Sequence, residues 1–488
     1  MPIISFEATN KAVFKNAGLG LLFQFLIRIK GMITLPIIVH FLTKEDLGSW
    51  LIISTSASLI VPIITLNIFD GSGMFFSSDF DHESVTRKYS TILSGATLIV
   101  LILLVPVAII LYYLSITRSF WLPIILYVVI MIAFKAAVML YQCYQKSKLL
   151  VFVNFIVAYG STLLTILMVL KYRSYLSIMI PVYVVQLIVS LILFSRVYKE
   201  IKFTRYINKD FLKDVLRIGI PLIPVYISEW LLSFIGVYML GYFGQLEEVG
   251  NFSVLLSISG IFLMLRTTLQ FFWFSTCSNL IRSEKHEEFN SIYQLIMKGY
   301  IYLIICGIIF YIFFINDIIR LFTSKEFISL GLPIIITVIG YAFFIFSSIY
   351  NGILYALART KEILFSYIVS SLSVVIISFL LIPHYHIIGA AVSMVIGNII
   401  LQLMLQWYSK RIKVMKKIDD ILLVLFISCL TIILSYYVCK LSLAPMIIRS
   451  LGVLILALYT IFLAQLDYLP VKKAYAYIKL KSKGFKSI

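Results

Sequence analysis

Seven charged side chains lie inside long apolar stretches, where an ionisable group is costly. They are Arg28, Lys30, Asp70, Lys135, Glu229, Arg266 and Lys298, with a summed charge of +3. A charge at the middle of a membrane costs about 2.5 to 3.5 kcal/mol, so such side chains usually point into a helix bundle or a water-filled cavity. A cavity with net positive charge suits an anionic ligand such as a pyrophosphate diester. An exporter of hydrophobic cations would need a cavity of the opposite sign.

Arg28 stands near the middle of the first apolar stretch and belongs to a polar stripe. Asn16, Gly20 and Gln24 precede it at four-residue spacing, which places them along one face of a helix. We expect this face to line a cavity, with Arg28 and Gln24 binding a pyrophosphate or an acidic sugar. A structural ion pair at Arg28 is the alternative. Lys30 lies about 200° around the same helix, so we rank it below Arg28 as a substrate-binding residue.

A second face combines a cation, an amide and an aromatic ring. Gln270 and Trp273 follow Arg266 at i+4 and i+7, so one helix could hold a phosphate through the guanidinium and stack a sugar on the indole. Lys135 and Lys298 lie nearer the ends of their stretches. Each either helps to bind the substrate or extends to the cytoplasmic interface.

Glu229 is the acid nearest the middle of any apolar stretch. It follows Pro221 and Pro224, which remove backbone donors and bend a helix. A carboxylate there either loads and releases a proton or a sodium ion, or forms a fixed partner for a membrane arginine. Asp70 precedes a glycine-rich turn. It either caps that turn or joins Glu229 in ion coupling.

The composition requires a membrane. Of 488 residues, 61% are hydrophobic and only 13% charged, against roughly 45 to 50% and about 25% in soluble proteins. This excludes a cytosolic enzyme, a secreted disulfide scaffold and a disordered regulator. The net charge of +19 resides mostly in short loops beside apolar stretches, so it does not indicate nucleic acid. The five cysteines have no paired spacing, and we expect neither a disulfide, a metal site nor a cofactor.

Fourteen stretches are long enough to cross a bilayer, which takes about 20 predominantly apolar residues each. They span approximately 15–42, 50–70, 90–114, 120–142, 150–170, 176–195, 217–242, 251–275, 292–315, 330–357, 363–382, 387–408, 420–439 and 447–466. With both termini cytoplasmic, the inside segments carry 28 Lys and Arg and the outside loops carry 8. Positive residues favour the cytoplasmic side, so we expect this orientation, which an even number of crossings permits.

The sequence contains an internal repeat. A shift of 202 residues places Glu45-Asp46-Leu47-Gly48-Ser49-Trp50 over Glu247-Glu248-Val249-Gly250-Asn251-Phe252, so that acidic pair, glycine and aromatic residue coincide. Six spans per repeat give both halves the same orientation. We therefore divide the chain into a first six-helix bundle (1–200), a basic cytoplasmic linker (201–216), a second six-helix bundle (217–408) and an extra helix pair with a basic tail (409–488).

Three motifs carry a resemblance to a known family. Residues 45–50, the segment Phe69-Asp70-Gly71-Ser72-Gly73 and the segment 383–391 resemble the polysaccharide-transporter, or Wzx O-antigen flippase, family, within the multidrug/oligosaccharidyl-lipid/polysaccharide exporter superfamily. The resemblance covers essentially the whole chain. It implies two six-helix bundles in a V around a central cavity, two further helices, and alternating access that moves an undecaprenyl-pyrophosphate-linked oligosaccharide to the outer leaflet. A polysaccharide polymerase and a chain-length regulator are the partners it implies.

We therefore expect a non-enzymatic transporter in the bacterial cytoplasmic membrane that contacts membrane lipid and couples transport to a proton or sodium ion. A flippase for lipid-linked peptidoglycan precursor would share the cationic cavity, although the loop motifs favour the polysaccharide branch. An ion-coupled multidrug exporter would have twelve core spans and a cavity dominated by acids. A membrane enzyme would need histidines or carboxylates converging at one face, whereas the five histidines are scattered.

Overall fold

The described part of the chain is almost entirely helical. The computed structural model describes residues 30–31, 33–72, 75, 82–143, 147–200, 208–411, 421–440 and 444–465, and within these ranges it contains helices and turns but no strand. In the same ranges, ten helices have the length and apolar composition needed to cross a bilayer. The predicted all-α, multi-pass membrane class is confirmed.

The helices follow one another with short connections. The first seven are α1 (residues 30–31 and 33–41), α2 (Lys44–Ile64), α3 (Ile68–Ser72), α4 (His82–Tyr113), α5 (Trp121–Cys143), α6 (Ser147–Lys171) and α7 (Leu176–Glu200). The others are α8 (Lys209–Phe243), α9 (Leu246–Ser259), α10 (Met264–Arg282), α11 (His286–Phe322), α12 (Gly331–Ala356), α13 (Thr360–Lys410), α14 (Ile421–Lys440) and α15 (Pro445–Gln465), with a 3₁₀ helix at Lys325–Leu330. Each of the fourteen predicted stretches overlaps a helix.

Several helix boundaries differ from the sequence prediction. The stretch 251–275 is broken by turns at residues 260–263, so it forms two helices, α9 and α10. Helix α13 covers two predicted stretches, which separate at His386, where φ is 47°. Helix α8 begins at Lys209 because the Asn208 side chain caps it, accepting from the backbone N–H of Phe211 at 3.0 Å. Residues 209–216, which precede the predicted stretch 217–242, are therefore helical, because capping and not apolar composition fixes this helix start.

The described residues form two compact units. Unit 1 contains those up to Met264, with Phe322–Ser324 and Tyr367–Gly397, and unit 2 contains Leu265–Leu321, Lys325–Ser366 and those from Asn398 onward. The core of unit 1 joins α3, α4, α5 and α7. In unit 2, α14 and α15 pack on α11, and the Arg449 guanidinium pairs with the Asp317 carboxylate.

Candidate functional site

A cavity of about 430 Å³ lies within unit 1. Helices α1, α2, α6, α7, α8 and α9 supply its walls, together with the turn at 260–263. Seven hydroxyl side chains line it: Thr34, Ser54, Ser161, Thr162, Thr165, Ser253 and Ser257. Lys30 is the charged residue among the described lining residues, and the indole-bearing Trp50 lies in the same wall. Leucine, isoleucine and phenylalanine side chains complete the lining.

Three of the hydroxyl groups of this cavity donate to backbone carbonyls of their own helices. Thr162 donates to the Ala158 carbonyl at 2.9 Å, Ser257 to the Ser253 carbonyl at 2.8 Å and Thr34 to the Lys30 carbonyl at 2.7 Å. Once a hydroxyl proton is used in this way, the oxygen lone pairs remain to accept from a ligand. Sugar hydroxyls can donate to such oxygens, whereas a phosphate requires the Lys30 ammonium. The cavity can therefore bind a sugar and an anion together.

The first repeat motif builds one wall of this cavity. Asp46 caps α2 reciprocally with Thr43, and its Oδ1 accepts from the Tyr175 backbone N–H at 2.8 Å. Two turns into the helix, Trp50 lines the cavity with its ring 5.8 Å from that of Tyr127. The motif therefore has two structural roles: Asp46 fixes the start of α2, and Trp50 lines the cavity.

The second repeat motif begins α9 at the same end of the cavity. Glu247 Oε1 lies 2.8 Å from the ammonium of Lys44, and Glu248 Oε1 lies 2.9 Å from Nδ1 of His386. The buried Phe252 ring contacts the place where a Cβ on Gly236 would stand, 3.2 Å away. These contacts join α9 to α2, α8 and α13.

A second cavity, of about 260 Å³, contains the predicted coupling residue Glu229. Trp230 lines it as well and donates from Nε1 to the Thr55 carbonyl at 2.9 Å, which holds α8 against α2. Phe234 lines both cavities, so one ring forms a shared wall.

Asp70 and Lys135, predicted for different roles, meet in the structure. Their Oδ2 and Nζ atoms are 3.8 Å apart, and the same carboxylate oxygen accepts from the Tyr226 phenol at 3.2 Å. The sequence prediction did not include Tyr226. Tyr226 lies three residues before Glu229, and residues at this spacing share a helix face. The sequence alone could therefore have placed Tyr226 beside Glu229.

The predicted face of α10 is joined to α12 within unit 2. Arg266 donates from Nε to the Ser348 hydroxyl at 3.0 Å, and its guanidinium lies 3.9 Å from the centre of the Phe344 ring. Trp273 is fully buried and donates from Nε1 to the Ile349 carbonyl at 2.9 Å. In this conformation the indole packs in the core and is not open to a sugar.

Two of the four remaining predicted ligands lie among the described residues. Gln270 and Lys298 are half-buried on α10 and α11. Arg28 and Gln24 lie outside the described residues. The ligand roles of these side chains stay predictions. Sequence reasoning ranked Lys30 below Arg28 and overlooked the hydroxyls of α6, although Ser161, Thr162 and Thr165 stand at helical spacing.

Comparison with known proteins identifies the fold. Residues 221–380 match the protein family MatE. No curated protein matches the sequence. Among solved structures, the chain is similar to the lipid II flippase MurJ in an inward closed conformation, with TM-score 0.70 and 18% identity over 92% of this chain and 99% of that chain.

Two MATE transporters share the same fold. An inward-facing MATE family transporter of the MOP superfamily matches with TM-score 0.57 and 15% identity over 82% of this chain and 98% of that chain. The eukaryotic MATE transporter AtDTX14 matches with TM-score 0.57 and 13% identity over 83% of this chain and 96% of that chain. The chain therefore has the fold of these flippases and transporters. The narrower resemblance to the Wzx family stays a prediction.

Proposed function

We propose that this protein flips an undecaprenyl-pyrophosphate-linked oligosaccharide, an O-antigen or related polysaccharide repeat unit, across the bacterial cytoplasmic membrane by alternating access. The unit 1 cavity carries the proposal, since it combines seven hydroxyls, an indole and the Lys30 ammonium. The hydroxyl oxygens accept from the sugar, and the ammonium neutralises the pyrophosphate. The undecaprenyl chain remains in the surrounding lipid.

The charge of the cavity argues against a cation exporter. Its described lining holds a lysine and no carboxylate. A hydrophobic cation would meet like charge beside Lys30, and repulsion of this kind lowers affinity for the wrong ligand. A phosphate diester meets the opposite charge.

The other residues and partners predicted from the sequence take part in the same transport cycle. Arg28 and Gln24 extend the phosphate site from the first helix, while Lys135 and Lys298 attract the anion on the cytoplasmic side. The α10 face presents its arginine, amide and indole in another conformation of the cycle. Both termini are cytoplasmic, the two halves divide at residues 201–216, and a polymerase and a chain-length regulator use the product.

A second candidate is the flipping of a lipid-linked peptidoglycan precursor. It is favoured by the structural similarity to the lipid II flippase, which extends over 92% of this chain against 82% for the MATE transporter. Both substrates are polyprenyl pyrophosphate sugars, so the cavity chemistry would serve either.

Deletion and complementation in the producing organism separate these functions. We expect the deletion strain to lose surface polysaccharide and to accumulate its lipid-linked repeat unit in the inner leaflet. The wild-type gene and a Lys171→Ala control, at the exposed end of α6, should restore export. Lys30→Ala, Arg28→Ala and Arg266→Ala should restore it poorly. Accumulation of peptidoglycan precursor would support the second candidate, and accumulation of neither lipid would contradict both.

A further inference from the structure

The smaller cavity places a phenol beside a membrane carboxylate. Tyr226 and Glu229 stand three residues apart on α8, and both line the space of about 260 Å³. Side chains at this spacing are neighbours on a helix surface. Ser58 and Ser233 add two hydroxyls to the lining, and the space is large enough to hold water between polar groups.

The Tyr226 phenol also contacts a second carboxylate, that of Asp70. The phenol donates to Oδ2 of Asp70 at 3.2 Å. The Asp70 side chain is 41% exposed, and the Lys135 ammonium lies 3.8 Å from the same oxygen. The phenol therefore links the Asp70 carboxylate with the cavity that Glu229 borders.

The backbones of α3 and α8 fix this arrangement. A Cβ on Gly71 would lie 2.8 Å from the Val215 carbonyl oxygen, and a Cβ on Gly219 would lie 2.9 Å from that of Asn67. Only glycine permits such an approach, so the two helices touch at the residue next to Asp70. This contact fixes the register that places Asp70 beside Tyr226.

We propose that Tyr226 relays protons between Glu229 and Asp70 during the transport cycle of the proposed flippase. The inference rests on the proposed function for its role in transport. In the step, the O–H bond of protonated Glu229 breaks and its proton passes to the Tyr226 oxygen, directly or through one water. The phenol O–H bond breaks at the same time, and its proton forms an O–H bond on the Asp70 carboxylate. Tyrosine stays neutral, one proton moves, and Asp70 releases it to water.

The neighbouring charges favour release of the proton at the Asp70 end of the relay. Among the described residues, the titratable groups meeting here are Glu229 and Tyr226 of α8, Asp70 of α3 and Lys135 of α5, while Ser58 and Pro62 of α2 do not titrate. The Lys135 ammonium lies 3.8 Å from Asp70 Oδ2 and attracts the ionised carboxylate, so it favours release of the proton that Asp70 receives.

A pH-jump infrared measurement on the full-length protein in lipid bilayers tests the relay without any lipid-linked substrate. The probe is the band of the protonated Glu229 carboxyl, assigned by its loss in Glu229→Gln. Because acid–base relays commonly contribute 10²-fold or more, we expect Tyr226→Phe to slow deprotonation about 10²-fold. Asp70→Asn should slow it similarly. The matched control Tyr242→Phe, an exposed tyrosine of the same helix, should leave it unchanged.

The outcomes separate the relay from the proposed function. An unchanged rate in folded Tyr226→Phe and Asp70→Asn proteins would overturn the relay, as would displacement of the proton by added sodium at constant pH. Flipping activity of the wild-type protein is measured separately. If Tyr226→Phe slows deprotonation of Glu229 but the wild-type protein does not flip the lipid, the relay stands and the flippase assignment is wrong.

Discussion

Gly48 and Gly250 lie face to face where α2 crosses α9. A Cβ on Gly48 would lie 2.5 Å from the Leu246 carbonyl oxygen, and a Cβ on Gly250 would overlap the carbonyl of Lys44. The shift of 202 residues that relates the two glycines also relates Lys44 to Leu246. Reciprocal contacts of this kind are those of two-fold related elements. They place the two motifs of the predicted repeat in direct contact.

Replacing Gly250 should open this crossing. In Gly250→Ala the new methyl group meets backbone, which cannot move aside as a side chain would, so α2 and α9 must separate. Overpacking of this kind costs about 1 to 3 kcal/mol. We expect a membrane-impermeant maleimide added outside to modify Ser54→Cys several-fold faster when Gly250→Ala is also present, in a background without native cysteines.

Gly241→Ala is the matched control for that experiment. Its Cβ would lie 3.5 Å from the nearest atom, a methyl group of Val249, which is an ordinary contact. Equal labelling of Ser54→Cys in folded Gly250→Ala and Gly241→Ala proteins would show that the crossing does not close the cavity.

The ion pair beside the crossing should have a smaller effect. Lys44 Nζ and Glu247 Oε1 lie 2.8 Å apart, but their side chains are 24% and 49% exposed, and exposed pairs contribute about 0.2 to 1 kcal/mol. We expect Lys44→Glu to raise the labelling of Ser54→Cys by a few-fold, and Lys44→Glu with Glu247→Lys to reverse most of that rise. If Ser54→Cys is labelled equally fast in the double and the single variant, the ion pair does not contribute directly to closing the cavity.

The sequence predicted the helices better than it predicted the site. Long apolar stretches fix each span by composition, whereas capping by Asn208 and the turns at 260–263 set boundaries that composition does not encode. In the sequence, the only trace of the crossing at Gly48 is the glycine that recurs at Gly250. Tyr226 and Asp70 are 156 residues apart in sequence, so their hydrogen bond depends on tertiary packing of α3 on α8.

Trp273 should behave first as a core residue. Its ring is fully buried beside Phe289 and Tyr293, and removal of a buried aromatic side chain costs about 3 to 5 kcal/mol. We expect Trp273→Ala to lower the unfolding temperature in detergent strongly, and Trp407→Ala, at a residue 49% exposed, to lower it little. A Trp273→Ala protein of full stability with weakened substrate binding would instead support the sugar-stacking role.

Lys30 should contribute to binding of any polyprenyl pyrophosphate, with or without sugar. Charge-assisted hydrogen bonds contribute about 1.5 to 3 kcal/mol, so we expect Lys30→Ala to raise the Kd for undecaprenyl pyrophosphate about tenfold or more. Lys30→Arg should retain most of the affinity. Equal affinity of Lys30→Ala and wild type for the sugar-free lipid would exclude this lysine from the phosphate site.

Thr162 should instead contribute only when sugar is present. Thr162→Val keeps the side-chain shape but removes the oxygen that faces the cavity while its proton is donated to the Ala158 carbonyl. A neutral hydrogen bond contributes about 0.5 to 1.5 kcal/mol, so the Kd for a lipid-linked oligosaccharide should rise a few-fold while that for undecaprenyl pyrophosphate stays constant. Binding of both lipids to purified Thr162→Val and wild-type protein measures the difference. If both affinities fall together, the hydroxyl acts on the phosphate or on the fold, and the assignment of this wall to the sugar is wrong.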